Sequence, residues 1–122
     1  MNILIISQYF WPENFRINDL AVELSRRGHN ITILTGYPNY PDGMIYSEFK
    51  SHPKKFDRLE SVDIIRVPII PRGDKKFTLF FNYLSYLICS CVLGLIKLRG
   101  ISFDKILVYQ VSPITVGLTA IL

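Results

Sequence analysis

Between Ser7 and Asn14 the chain has no glycine; the run reads SQYFWPEN. It follows an apolar strand and leads into a helix, where dinucleotide-binding folds carry the glycines that let backbone approach a pyrophosphate. Without them that fingerprint is excluded, and a dehydrogenase reading weakens with it. Cysteine is scarce as well. Cys89 and Cys91 lie two apart in an apolar run, and on a helix such residues do not face each other, which argues against a shared metal or a mutual disulfide. A reducing compartment follows. His29 falls after a helix end and His52 in a loop, and neither has an acid or nucleophile partner in reach of the sequence. No Ser–His–Asp set, metal cluster or phosphate-wrapping lysine loop is legible. Met1 leads into strand pattern without a basic flank or cleavage site, so a secretory signal is not expected.

What is present describes a folded apolar protein. The 122 residues are 49% hydrophobic and 20% charged, which suits one domain with a core and excludes disorder. The formal charge is +4. Its cations fall in small groups: Arg26 with Arg27, Lys54 with Lys55, Arg72 with Lys75 and Lys76, Lys97 with Arg99. That is too dispersed for a nucleic-acid stripe, but it suits anionic ligands or an anionic membrane surface.

The pattern predicts an α/β fold. Residues 2–7 and 30–35 are strand-length apolar runs, and Phe15, Ile17, Leu20, Ala21 and Leu24 recur between them at helical spacing. Asn14 is the expected N-cap, Gly28 the expected stop, and Glu23 and Arg27 an expected outward pair. Residues 36–62 hold three prolines and two glycines without sustained period, which predicts a long loop. Residues 63–70 and 104–110 supply two further strands, with Pro68 placing the former near an edge or shortening it. The expectation is a Rossmann-like parallel sheet of at least four strands with flanking helices. The closing run ITVGLTAIL has the look of the first turns of a buried helix without cap or polar finish, so the chain reads as the front part of something longer.

Residues 79–96 contain no charge and reach the lower length limit of a membrane span. Yet Thr78, Asn82, Ser85, Tyr86, Cys89, Ser90 and Lys97 fall on one side of a helix. A crossover helix packed on the sheet could turn that polar stripe to the surface, and this is the expected arrangement. A span or membrane-surface helix is the alternative.

If the strands run parallel, ligands bind outside their carboxyl ends. Arg16 in the first helical turn opposes the helix dipole, and a bound anion would turn that opposition into cooperation; solvent or Glu13 is the plainer partner. Tyr37, Asn39 and Tyr40 could line a sugar site, though PNYP is also good turn chemistry. Gln110 and Ser112 end the last strand, where they are expected to point towards the cleft, with plain loop capping the equal alternative.

Taken together, ILIISQYFWPENFRINDLAVELSRRGHNITILTGYPNYPDG, DIIRVPIIPRG, NYLSYLICSCVLGLIK and YQVSPITVGLTAIL resemble the opening of retaining nucleotide-sugar glycosyltransferases of family 4. The bacterial enzymes of O-antigen and exopolysaccharide assembly, including L-fucosamine transferases, are the nearest subgroup. The resemblance implies a two-domain GT-B architecture, of which residues 1–122 would be the incomplete amino-terminal, acceptor-side half, with the carboxyl-terminal donor-binding domain absent. It implies a nucleotide-sugar donor, a polyprenyl-pyrophosphate-linked acceptor and no cofactor or metal. The cytoplasmic face of the membrane is the implied location, with the protein peripheral to it. Asn14 and Arg16 are the contacts it carries over best, beside Tyr37, Asn39 and Ser112 as candidate substrate-binding residues. Pro12-Glu13-Asn14 stands where many relatives have a glycine pair. Such a half is expected to be inactive alone. Two other expectations stand beside it: a small membrane-associated protein anchored by residues 79–96, and a freestanding nucleotide-binding module.

Overall fold

The computed structural model describes residues 1–109 and 116–122, with only the backbone for residues 116–118. Its strands are β1 (Asn2–Ile6), β2 (Asn30–Gly36), β3 (Arg58–Leu59), β4 (Val62–Val67) and β5 (Lys105–Val108), in the spatial order β3-β4-β2-β1-β5. β1, β2, β4 and β5 are mutually parallel, and the two-residue β3 runs antiparallel to β4. The sheet is therefore mixed but mostly parallel, and the four expected strands are all present. β4 stops at Val67, one residue before Pro68, which has no N–H to extend the ladder.

Side-chain alternation along the strands builds two cores. Ile3, Ile5, Ile31, Ile33, Val62 and Ile64 face α1 (Arg16–Arg26), which buries Ile17 and Ala21 against them. Leu4, Ile6, Leu34 and Val67 face the other way and meet Tyr86 of α3 (Lys76–Cys89). α3 continues through a π turn, Ser90–Gly94, into α4 (Leu95–Lys97). The Lys76–Lys97 helix thus joins β4 to β5 as a crossover packed on the sheet. α5 (Val116–Ile121) follows β5, and its Ala120 packs on the same core.

Several local expectations need correction. Asn14 does not cap α1: Phe15 holds that position, no side chain caps the helix, and Asn14 is exposed. Asn18, one turn in, ties the loop instead, accepting from the Trp11 amide at 2.9 Å and donating to the Glu13 carbonyl at 2.7 Å. Leu20 is exposed rather than core. Glu23 and Arg27 do pair, at 2.9 Å, and Gly28 takes the left-handed conformation after the helix. Residues 36–62 are not one structureless loop. They hold α2 (Ser47–Ser51), a 3-10 turn (Pro53–Phe56) and β3, around buried Phe49 and Phe56.

The largest reversal concerns the crossover helix, whose polar stripe faces inward. Asn82, Tyr86 and Ser90 are fully buried, whereas Phe77, Phe80, Ile88, Val92, Leu95 and Ile96 are exposed. The reason is hydrogen bonding. Each buried polar group finds a partner there: Asn82 donates to the Ile70 carbonyl at 2.7 Å, Tyr86 to the Leu34 carbonyl at 3.1 Å, and the Ser90 hydroxyl meets that of Thr119 at 2.8 Å. Satisfied groups of this kind are tolerated inside.

Candidate functional site

The loops leaving β1, β2 and β4 gather along one rim of the sheet. β1 exits towards α1 on one face, and β5 exits towards α5 on the other. The rim between β1 and β5 is therefore where the chain reverses direction, the place that favours ligands in open parallel sheets.

The β1 loop is held from below by two buried charges that do not touch each other. Glu13 is fully buried, and its carboxylate accepts from the amides of Tyr40 at 2.8 Å, Asn39 at 3.1 Å and Phe10 at 3.4 Å. Burial lifts its pKa to about 7 against the pull of those amides and of the Arg66 charge. Arg66 projects from β4 on the α1 side of the sheet. It donates to the carbonyls of Phe56 at 3.3 Å, Gly36 at 3.2 Å and Trp11, and lies 5.6 Å from the centre of the Phe49 ring. Its own pKa falls to about 10 through burial, so it stays cationic at neutral pH. Glu13 thus joins the β1 loop to the β2 loop, and Arg66 joins both to β4.

Above this frame stands an aromatic and cationic group. Tyr9 stacks on Phe15 with ring centres 5.1 Å apart and planes 10° apart, and Tyr40 tilts against both. The Arg72 guanidinium lies 5.2 Å from the centre of the Tyr40 ring. Beside it, Gln8 donates to Asn82 Oδ1 at 2.8 Å, and the Tyr9 hydroxyl reaches the same oxygen at 3.3 Å. Burial, and then the neighbouring Tyr83, push the Tyr9 hydroxyl pKa upward, so it remains a neutral donor. Gln8 Oε1 is buried and has no hydrogen-bond partner among the described residues.

Of the five residues singled out from the sequence, the four that lie among the described residues do not form one cluster. Arg16 is exposed at the start of α1 next to Phe15, and among the described residues no carboxylate pairs with it. Glu13, its expected partner, is turned inward. Asn14 is exposed beside it. Asn39 is fully buried with both ends of its carboxamide engaged, donating to the Tyr37 carbonyl at 3.0 Å and accepting from the Arg72 amide at 3.1 Å. Tyr37 lies elsewhere, against Phe49, in an open cleft of about 430 Å³ that Asp57, Arg66 and Lys97 also line. Ser112 and Gln110 lie outside the described residues.

No family model matches the chain, and no curated protein or solved structure gives a significant match. The site must be read from its own geometry.

That geometry brings forward residues the sequence reading did not single out as site residues: Gln8, Glu13, Arg66, Arg72 and Asn82. Two of them left a signal. Val62, Ile64 and Arg66 share one face of β4, and a charge on an inward face demands buried partners. Asn82, Tyr86 and Ser90 recur every four residues inside an apolar helix, a polar line that fits buried acceptors as readily as water.

Proposed function

We propose that the chain is the acceptor-side half of a retaining sugar transferase of the GT-B kind. In the whole enzyme a sugar would pass from a nucleotide donor to a polyprenyl-pyrophosphate-linked acceptor at the cytoplasmic face of the membrane. The supporting observation is the rim itself, where Tyr9, Phe15 and Tyr40 stand beside the Arg72 guanidinium. Aromatic faces accept the apolar face of a sugar ring, and a guanidinium fits phosphate oxygens. Arg16, at the dipole-positive start of α1, adds a second cation for the pyrophosphate. The resemblance assigns the donor contacts to a further domain, so the 122-residue chain alone is expected to transfer no sugar.

Titration of the chain with a short-prenyl pyrophosphate-linked sugar tests this reading. Binding is expected, with Arg16→Ala and Arg72→Ala each weakening it about tenfold, or roughly 1.4 kcal/mol. Arg26→Ala, whose side chain pairs with Glu60 at 3.0 Å on the far surface, should leave it unchanged. Sugar transfer by the isolated chain would overturn the half-enzyme reading. Micromolar binding of a nucleotide sugar without a second domain would favour the freestanding nucleotide module instead.

A second reading, a small protein anchored through residues 79–96, has one observation in its favour. The 22-residue Lys76–Lys97 helix is long and apolar enough to cross a membrane. Spanning would strip Asn82, Tyr86 and Ser90 of their partners on the sheet and on α5, which disfavours it.

A further inference from the structure

We propose that the cleft beside Tyr37, at the outer edge of β4, is a second binding site, and that its ligand is a neutral saccharide. The cleft exists because the sheet edge is only partly covered. β3 pairs with β4 at Val62 and Asp63 alone, so from Ile64 onward the edge carries no strand. α2 and the 3-10 turn bring Phe49 and Pro53 to that edge without closing it, and a space of about 430 Å³ is left. That falls within the roughly 300–1,000 Å³ of small-ligand sites. Its apolar wall is firmly set. The Tyr37 ring stands 5.0 Å from that of Phe49, tilted by 52°. Phe49 in turn lies under the Arg66 guanidinium, which is itself tied to the Phe56, Gly36 and Trp11 carbonyls.

The mouth of the cleft selects the ligand. Asp57 and Lys97 line it and are both exposed. Lys97 Nζ donates to the Arg66 carbonyl at 2.6 Å, which fixes the ammonium at the edge and leaves its other protons for a ligand. The Asp57 carbonyl accepts from the Ile64 amide at 2.9 Å, and the Asp57 carboxylate forms no ion pair among the described residues. An aromatic wall facing an acceptor and a donor fits a ring with apolar faces and a hydroxylated edge. Hydroxyls satisfy both groups, donating to Asp57 and accepting from Lys97, whereas a wholly apolar molecule would strip both of water. Opposite charges at one mouth offset each other, so neither an anion nor a cation is preferred. The rim differs in this respect. Arg16 and Arg72 stand there with Glu13 turned inward, an arrangement for phosphate.

This site shares with the transferase reading only the class of ligand, and different variants test the two, so either can fail alone. The test is NMR titration of the isotope-labelled chain with methyl glucoside, methyl galactoside and methyl N-acetylglucosaminide, and with inorganic pyrophosphate as the anionic control. At least one glycoside should shift the amides of Phe49, Asp57 and Arg66 and leave that of Arg72 in place, and pyrophosphate should move none of the first three. Asp57→Asn, an isosteric change at an exposed position, and Tyr37→Ala should each weaken glycoside binding about tenfold. Arg72→Ala should leave it unchanged. Circular dichroism verifies that the variants fold, and the wild-type map does not depend on them. No shift with any glycoside would overturn the inference. So would shifts centred on Tyr40 and Arg72, which assign the sugar to the rim, or pyrophosphate bound in the cleft as tightly as the glycoside. Glycoside binding that Asp57→Asn and Tyr37→Ala both leave untouched would overturn it as well.

Discussion

At the scale of single residues, the frame beneath the rim depends on Glu13. A carboxylate with no exposed surface must be balanced locally, and three backbone amides provide that balance. Burial nevertheless raises its pKa from the ordinary 4.5 to about 7. The folded protein therefore holds this proton more tightly than the unfolded chain does. Stability is greatest below about 4.5 and declines as pH rises towards about 7. The raised pKa corresponds to roughly 3 kcal/mol across that window. Glu13→Gln cannot ionise, so it should flatten the decline, although its amide nitrogen opposes a backbone N–H and lowers stability at acid pH. Urea unfolding of both proteins at about pH 4.5 and about pH 7.5 measures this; an undiminished decline in the variant would assign the titration to another group. From sequence alone Glu13 was a plausible surface partner for Arg16. Only the approach of the β2 loop, a tertiary event with no local pattern, turns it inward.

At the scale of elements, the β2 and β4 loops are joined by two glycines. The Gly73 amide donates to the Gly43 carbonyl at 3.1 Å, and both residues have positive φ, 61° and 74° respectively. A Cβ on Gly43 would stand 2.9 Å from the Gly73 nitrogen and 3.0 Å from its oxygen, atoms that cannot swing away as a side chain can. Gly43→Ala should therefore lose about 2 kcal/mol through clash and left-handed strain, read as a lower urea midpoint with unchanged slope. Unchanged stability would mean that the loops part at little cost. Elements were the most legible level. The strands at 2–7, 30–35 and 63–70 were readable because buried parallel strands are apolar nearly throughout, and the one at 104–110 because its short apolar run has strand length. The start of α1 moved by one residue, to Phe15 at the cap, and Asn18 one turn in ties the preceding loop where Asn14 was expected to. The orientation of the crossover helix was not legible. Its two faces differ less in polarity than in available partners, and the acceptors of Asn82 and Tyr86 lie on Ile70 and Leu34, distant in sequence.

For the whole molecule, the sheet is unequally protected. β1 and β2 are covered on both faces, whereas β5 is an edge strand with Ile106 (49%) and Leu107 (37%) exposed on opposite faces. Native-state amide exchange should rank Ile5 and Ile33 slowest and β5 much faster, with local opening of β5 preceding global unfolding. Equal protection across all strands would contradict that ranking. The candidate site was legible as a place, the carboxyl rim, more than as a residue set. The π turn at Ser90–Gly94 has its own effect on the exposed apolar face of the crossover helix. It accommodates about one residue beyond α-helical phase, so winding the same residues as uninterrupted α-helix would rotate everything downstream by about 100°. Leu95 and Ile96 would swing off the line set by Phe77 and Ile88, and Lys97 would lose the Arg66 carbonyl. One irregular turn acts as a rotary coupling, aligning the greasy half of the helix after it with the half before.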